Sequence, residues 1–261
     1  MRNRQGTVEE NKYTTAMASS SIGAVTKGVT YFLKHLYVQK ILYVDFTMKS
    51  LGTPLILQRG PGFLKREAFS DGVVTGETLA ESGFIPPWHS DRKTLGEPTP
   101  NEVMDAVNKF YGTGYDGKAA MENELNGVVF AGYGDPLCRL EDLLETCKMI
   151  STRRPGAPIR INSLGLVESE KAFEVASSLK QVGVETVSVS LGADSPVAYN
   201  KIIEPQNGLG FGNVCNFIIA LQENGISVTC SAVEHPDVSI PKVRALSESL
   251  GADFKSRTYH P

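Results

Sequence analysis

The sequence predicts an α/β fold, a partial (β/α)6 barrel in which six strand–helix units curl into an open, TIM-like sheet within one domain. Short apolar runs rich in β-branched residues alternate with helical patterns from residue 40 onward. Nearly every run ends in a polar or glycine-bearing turn. The length, 261 residues with 41% hydrophobic and 21% charged, suits one sizeable core better than two.

Residues 1–38 mix Arg, Lys, Ser and Thr with Glu9 and Glu10 and lack the apolar heart of a secretory signal. They read as a disordered or weakly helical extension, and the acidic pair speaks against an organelle presequence. The cytoplasm is the default compartment. The barrel domain follows over 39–261. Its strands are KILYVDFT (40–47), GVVFAG (127–132), IRIN (159–162), TVSVSL (186–191), SVTCSAV (227–233) and FKSRTY (254–259). Between them, PNEVMDAVNKFY, RLEDLLETCKMI, SEKAFEVASSLKQVG, GNVCNFIIALQENG and IPKVRALSESLG repeat apolar residues at the spacing of one helix face. Gly183, Gly225 and Gly251 stop three of these helices, while Pro100 and Pro241 sit near helix starts. The stretch 59–99, with many glycines and prolines and Pro86-Pro87-Trp88-His89, has no sustained period and reads as an irregular insertion loop.

A formal net charge of −3 gives no general basic field for a phosphate backbone, so nucleic acid is not a predicted partner. No run approaches the roughly 20 apolar residues of a bilayer span. The four cysteines (Cys138, Cys147, Cys215, Cys230) lie in apolar or helical segments without CxxC pairing, and read as free thiols.

In parallel α/β barrels ligands bind at the carboxyl ends of the strands, which directs attention to the residues just after each strand. The second strand ends in Ala131-Gly132-Tyr133-Gly134-Asp135-Pro136. Two glycines there allow a ligand to approach the backbone closely, leaving carbonyls to accept hydrogen bonds from an ammonium group. A second reading stays open: Gly134 supplies a positive φ, and Asp135-Pro136 starts the next helix.

This turn resembles the glycine-rich G-x-G-E-P turn of radical S-adenosylmethionine (SAM) proteins, closest to the subfamily associated with TatD-type nucleases. Further segments match in order. IRINSLGL (159–166) is similar to that family's third strand, with Asn162, Ser163 and Gly165 in the matching places. The stretch 186–205, with Ser188 and Ser190 in the strand and Asp194, Tyr199 and Pro205 beyond it, is similar to the fourth; Arg257 and Tyr259 match the family's closing strand. The resemblance spans about 40–261. It implies a radical SAM type barrel in which SAM is held by Gly132, Tyr133, Gly134, Asp135, Pro136, Asn162, Ser188 and Ser190, with an unknown substrate over it.

The family also carries a 4Fe-4S cluster on a C-x-x-x-C-x-x-C loop after the first strand, because such clusters require thiolate ligands. Here the three positions fall on Ser50, Pro54 and Leu57. The sequence therefore predicts a cluster-deficient member or an incomplete gene model, with no metal ligands and no assigned catalytic residue. Two alternatives stand beside it. One is a non-catalytic binding module that retains the fold. The other is an unrelated βα-barrel enzyme with an acid/base site among Asp45, His89, Glu234, His235 and His260, although no HExxH, P-loop or Ser-His-Asp spacing is present.

Overall fold

The computed structural model describes residues 29–33, 40–64, 96–111 and 127–261. All six predicted strands form: β2 (Lys40–Asp45), β3 (Gly127–Ala131), β4 (Ile159–Ser163), β5 (Val184–Ser190), β6 (Ser227–Val233) and β7 (Asp253–Arg257). They pair in sequence order and in parallel. That order is what successive right-handed βα units give. A further strand, β1 (Val29–Leu33), adds to the edge of the sheet antiparallel to β2. The sequence predicts disorder or a weak helix there; the β-branched and aromatic composition of VTYFL favours a strand once β2 offers an edge. The sheet is an open arc, ending at β1 on one side and β7 on the other.

The longer helices among the described residues are α1 (Pro100–Tyr111), α2 (Leu140–Arg153), α3 (Ala172–Gln181), α4 (Pro196–Ile203), α5 (Phe211–Glu223) and α6 (Ile240–Ser249). Thr99 and Glu102 start α1 reciprocally: the Glu102 carboxylate accepts from the Thr99 backbone N–H at 2.9 Å, and the Thr99 hydroxyl accepts from that of Glu102 at 3.3 Å. Ser195 caps α4, and Pro196 occupies its first position. Of the predicted insertion, 65–95 lies outside the described residues, as does nearly all of the 1–38 extension.

Strand alternation divides the side chains between two faces. Leu42, Val44, Phe130, Ile161, Val187 and Val189 belong to one continuous buried core with the helices. The intervening positions face the concave side of the arc, and there the chain is polar: Tyr43, Asp45, Arg160, Asn162, Ser188, Ser190, Ser231 and Arg257. Polar positions concentrated on one face of an otherwise apolar sheet cost stability, so this face defines the site.

Candidate functional site

Register brings several predicted residues together. Asn162 is the lateral partner of Ser188, Ser188 of Thr229, and Ser190 of Ser231, so these side chains form two adjacent rows at the carboxyl ends of β4, β5 and β6. Ser188, Ser190 and Ser231 are buried. Asn162 Oδ1 and Ser231 Oγ are buried without a hydrogen-bond partner, which is unusual for such groups and marks them as available to a ligand. Ser231 was not among the residues singled out from the sequence, although alternation in SVTCSAV places it on the Ser190 row.

The glycine turn is built for close approach, but to the chain's own first loop. Gly132 has φ +135°, and a side chain there would meet Asp45, whose Oδ1 accepts from the Tyr133 N–H at 3.2 Å. Gly134 has ordinary backbone geometry; its constraint is space, since an added Cβ would lie 2.3 Å from the Thr47 carbonyl and 2.6 Å from that of Lys49. Through this gap Gly134 donates to Thr47 O (3.0 Å) and Asp135 to Lys49 O (2.8 Å). The reading in which Gly134 supplies the positive φ is thereby corrected, for Gly132 does so.

Asp135 is a structural knot. It caps the short 3-10 helix Pro136–Arg139 through Leu137 N–H (3.0 Å), and its other oxygen accepts from the Ser163 hydroxyl and the Leu164 N–H, both at 2.8 Å. Ser163 Oγ in turn accepts from Gly165 N–H at 2.8 Å. Burial pushes the Asp135 carboxyl up, against the lowering effect of these hydrogen bonds. Its oxygens tie the end of β3 to the end of β4, and Pro136 at the start of the 3-10 helix is buried.

Segment 47–64 crosses the carboxyl ends of the strands as a strap. It leaves β2 against the glycine turn, and Thr53 N–H donates to Ile203 O (2.6 Å) at the end of α4. The buried Gln58 then accepts from Ser190 Oγ at 3.2 Å and donates to Thr53 O at 2.7 Å. Beyond β7, His260 N–H donates to Arg59 O (2.8 Å) and Gly62 N–H to His260 O (3.0 Å). At the strap's root Glu97 accepts from the Thr47 hydroxyl and, at 3.1 Å, from the Met48 N–H. Burial opposes ionisation of Glu97, but these bonds and the charges of Arg139 and Lys49 hold its carboxyl below the ordinary range. Gln58 was invisible to sequence reasoning because nothing local shows where a loop folds back.

The three positions that the radical SAM resemblance gives to cluster ligands, Ser50, Pro54 and Leu57, lie on this strap. Ser50 donates its hydroxyl to Gly52 O at 2.7 Å, and Pro54 and Leu57 carry no metal-ligating atom. Among the described residues no three His, Cys, Asp or Glu side chains group to hold a metal ion. The donor set does not fit a 4Fe-4S cluster.

Among the described residues no three of the acid/base candidates group together. His235 packs edge-on against Tyr259 (4.8 Å between ring centroids), and its Nδ1 accepts from Asp237 N–H at 3.2 Å. His260 lies beside Arg59, with Nε2 3.3 Å from a guanidinium nitrogen. Asp45 is buried against the glycine turn, and His89 lies outside the described residues. Leu51, Asp135, Leu137, Cys138 and Leu166, from the segments that follow β2, β3 and β4, line with Leu209 a depression of about 240 Å³. Burial, then the charge of Asp135, pushes the Cys138 thiol up to about 12, away from the thiolate form.

No family model matches this chain, and no curated protein does. Among solved structures it is similar to the radical SAM methyltransferase TsrM from Kitasatospora setae, determined with cobalamin and a 4Fe-4S cluster bound: TM-score 0.42, 13% identity, over 62% of this chain and 29% of that one. It is also similar to D-glucarate dehydratase from Agrobacterium tumefaciens complexed with magnesium, at TM-score 0.34 and 12% identity over 61% of this chain and 42% of that one. The chain thus matches under half the length of either structure. Among the described residues no helix is long and apolar enough to cross a membrane.

Proposed function

We propose that this protein is a radical SAM-related half-barrel that binds S-adenosylmethionine on its concave face without an iron-sulfur cluster. The observation that carries the reading is the buried, unpartnered Asn162 Oδ1 beside Ser188 at the strand ends, in a chain whose motifs follow the radical SAM order. A ribose hydroxyl donating to Asn162 Oδ1 would satisfy that acceptor, and Ser188 offers an adjacent hydroxyl. In this reading the backbone carbonyls of Gly132 and Tyr133 receive the methionyl ammonium. Asp135, Pro136, Gly134 and Ser190 serve differently: they hold the turn and the strap that shape the mouth.

Bound SAM supplies an electrophilic methyl group and an adenosyl moiety. The residues do not fit the cluster that reductive cleavage of SAM requires, so no radical step is assigned. The kinship to the TatD-associated subfamily rests on the order of motifs alone. Binding is tested by titration calorimetry with SAM: saturable heat is expected from the wild type, weakened about tenfold in Asn162→Ala for loss of one buried hydrogen bond. Absence of heat from the folded wild type refutes the reading.

A further inference from the structure

The far end of the strap is clasped by the segment that follows β7. Thr258 to Pro261 lies against residues 59–63 at a separation that side chains would not allow: a Cβ on Gly60 would overlap the His260 carbonyl oxygen, and one on Gly62 would fall 2.6 Å from that of Pro261. Two backbone hydrogen bonds join His260 to Arg59 and Gly62, and Arg59 Nε donates to the Thr258 carbonyl at 3.3 Å. The Arg59 guanidinium carbon sits 3.9 Å from the centroid of the buried Phe63 ring, which in turn lies 5.4 Å from the His260 ring centroid.

One bond in this clasp sets a protonation state. A guanidinium can only donate, so His260 Nε2, 3.3 Å from Arg59 Nη2, must carry a lone pair. The imidazole is therefore neutral, with its proton on Nδ1. A proton added at Nε2 removes the acceptor and puts two cations in contact. Arg59 does not relieve this by losing its own proton, for burial, then the charge of Arg257, lowers it only to about 10. The other groups around the clasp are Arg257, Tyr259 and the exposed Pro261 on the same segment, and Glu234, His235 and Asp237 after β6. Glu234 N–H donates to the Arg257 carbonyl, and His235 packs on Tyr259. The Asp237 carboxylate pairs with Lys201 at 2.7 Å and faces His235 at 3.6 Å. Burial, then the charge of Arg59, holds His260 below its ordinary value. We infer that residues 258–261 form a pH-sensitive latch on the strap: neutral His260 holds residues 59–63 across the carboxyl ends of the strands, and protonated His260 releases them. Since the free imidazole titrates at about 6.5, the latch is fully closed above that pH and opens as pH falls through the lower, clasped value. The inference stands whether or not SAM binds.

Hydrogen–deuterium exchange of the full chain at about pH 8 and about pH 5, on either side of the free-imidazole value and corrected for the intrinsic pH dependence of amide exchange, tests it. Glu97 at the strap's root is held below the ordinary carboxylate range and keeps its charge at both. Protection of the Gly62 amide, which donates to His260, should fall about tenfold at the lower pH, while the α5 amides keep theirs. His260→Gln, whose Oε1 accepts from Arg59 without titrating, should stay protected at both values, and His260→Lys should exchange fast at both. His235→Gln should respond as the wild type does. Equal Gly62 protection in the wild type at the two values overturns the inference. So does a response that survives in His260→Gln, or one that disappears in His235→Gln. An equal loss in the α5 amides would show global loosening and overturn it as well.

Discussion

Replacing Asp135 by Ala should unfold the junction of β3 and β4 before it affects any ligand. The side chain is buried and accepts three hydrogen bonds, from Leu137 N–H, Ser163 Oγ and Leu164 N–H. Truncation leaves these donors without an acceptor, at about 1–3 kcal/mol for each that stays dry. Relief from burying a carboxylate offsets part of this, which leaves a net loss of about 3–5 kcal/mol. Single-domain stability is about 5–15 kcal/mol, so the variant should melt early but fold in the cold. Urea unfolding followed by far-UV circular dichroism measures the difference. The sign of its pH dependence is also fixed. Burial raises the carboxyl's folded value above the unfolded one of about 3.9, so the group's contribution is full below that pH and declines as pH rises through the folded value. The gap between wild type and variant should therefore narrow from pH 4 upward (about the unfolded value). A loss under about 1 kcal/mol, no more than one ordinary hydrogen bond, would refute the knot.

Three further outcomes follow from the same geometry. Gly134→Val must push Thr47 and Lys49 away and break two backbone hydrogen bonds, costing about 2–4 kcal/mol in denaturant titration and displacing the strap. Gln58→Ala removes the strap's bonds to Ser190 and Thr53, at about 1–2 kcal/mol, and should speed proteolytic cleavage within 50–64 while leaving the circular dichroism spectrum unchanged. Glu97 is held below the ordinary carboxylate range, so its stabilisation is complete above the unfolded value of about 4.3 and disappears as pH falls through the folded one. Glu97→Gln should flatten the acid limb of the stability profile in that window, and an unchanged limb would contradict the anchor.

The barrel was legible because its signals are local. Runs such as SVTCSAV announce strands by composition and length, and Gly225 or Pro100 mark helix ends through backbone constraints that any fold must obey. That Asn162 and Ser188 are lateral partners came only with the strand register. The roles of Asp135, Gly134 and Gln58 were not legible, because each depends on a partner far along the chain: Ser163, Thr47 and Ser190. A glycine-glycine-acid turn looks the same in sequence whether it cradles a ligand or a neighbouring loop. The β1 strand was missed because the sequence between it and its pairing edge, residues 34–39, carries no hairpin signature.

Anaerobic incubation with iron and sulfide, followed by desalting and a SAM-binding assay on the same fraction, probes the cluster-free pocket most directly. The protein should emerge colourless, without the broad thiolate-to-iron absorption, and should bind SAM as well as untreated protein does. A brown fraction, or SAM binding that depends on iron, would contradict it.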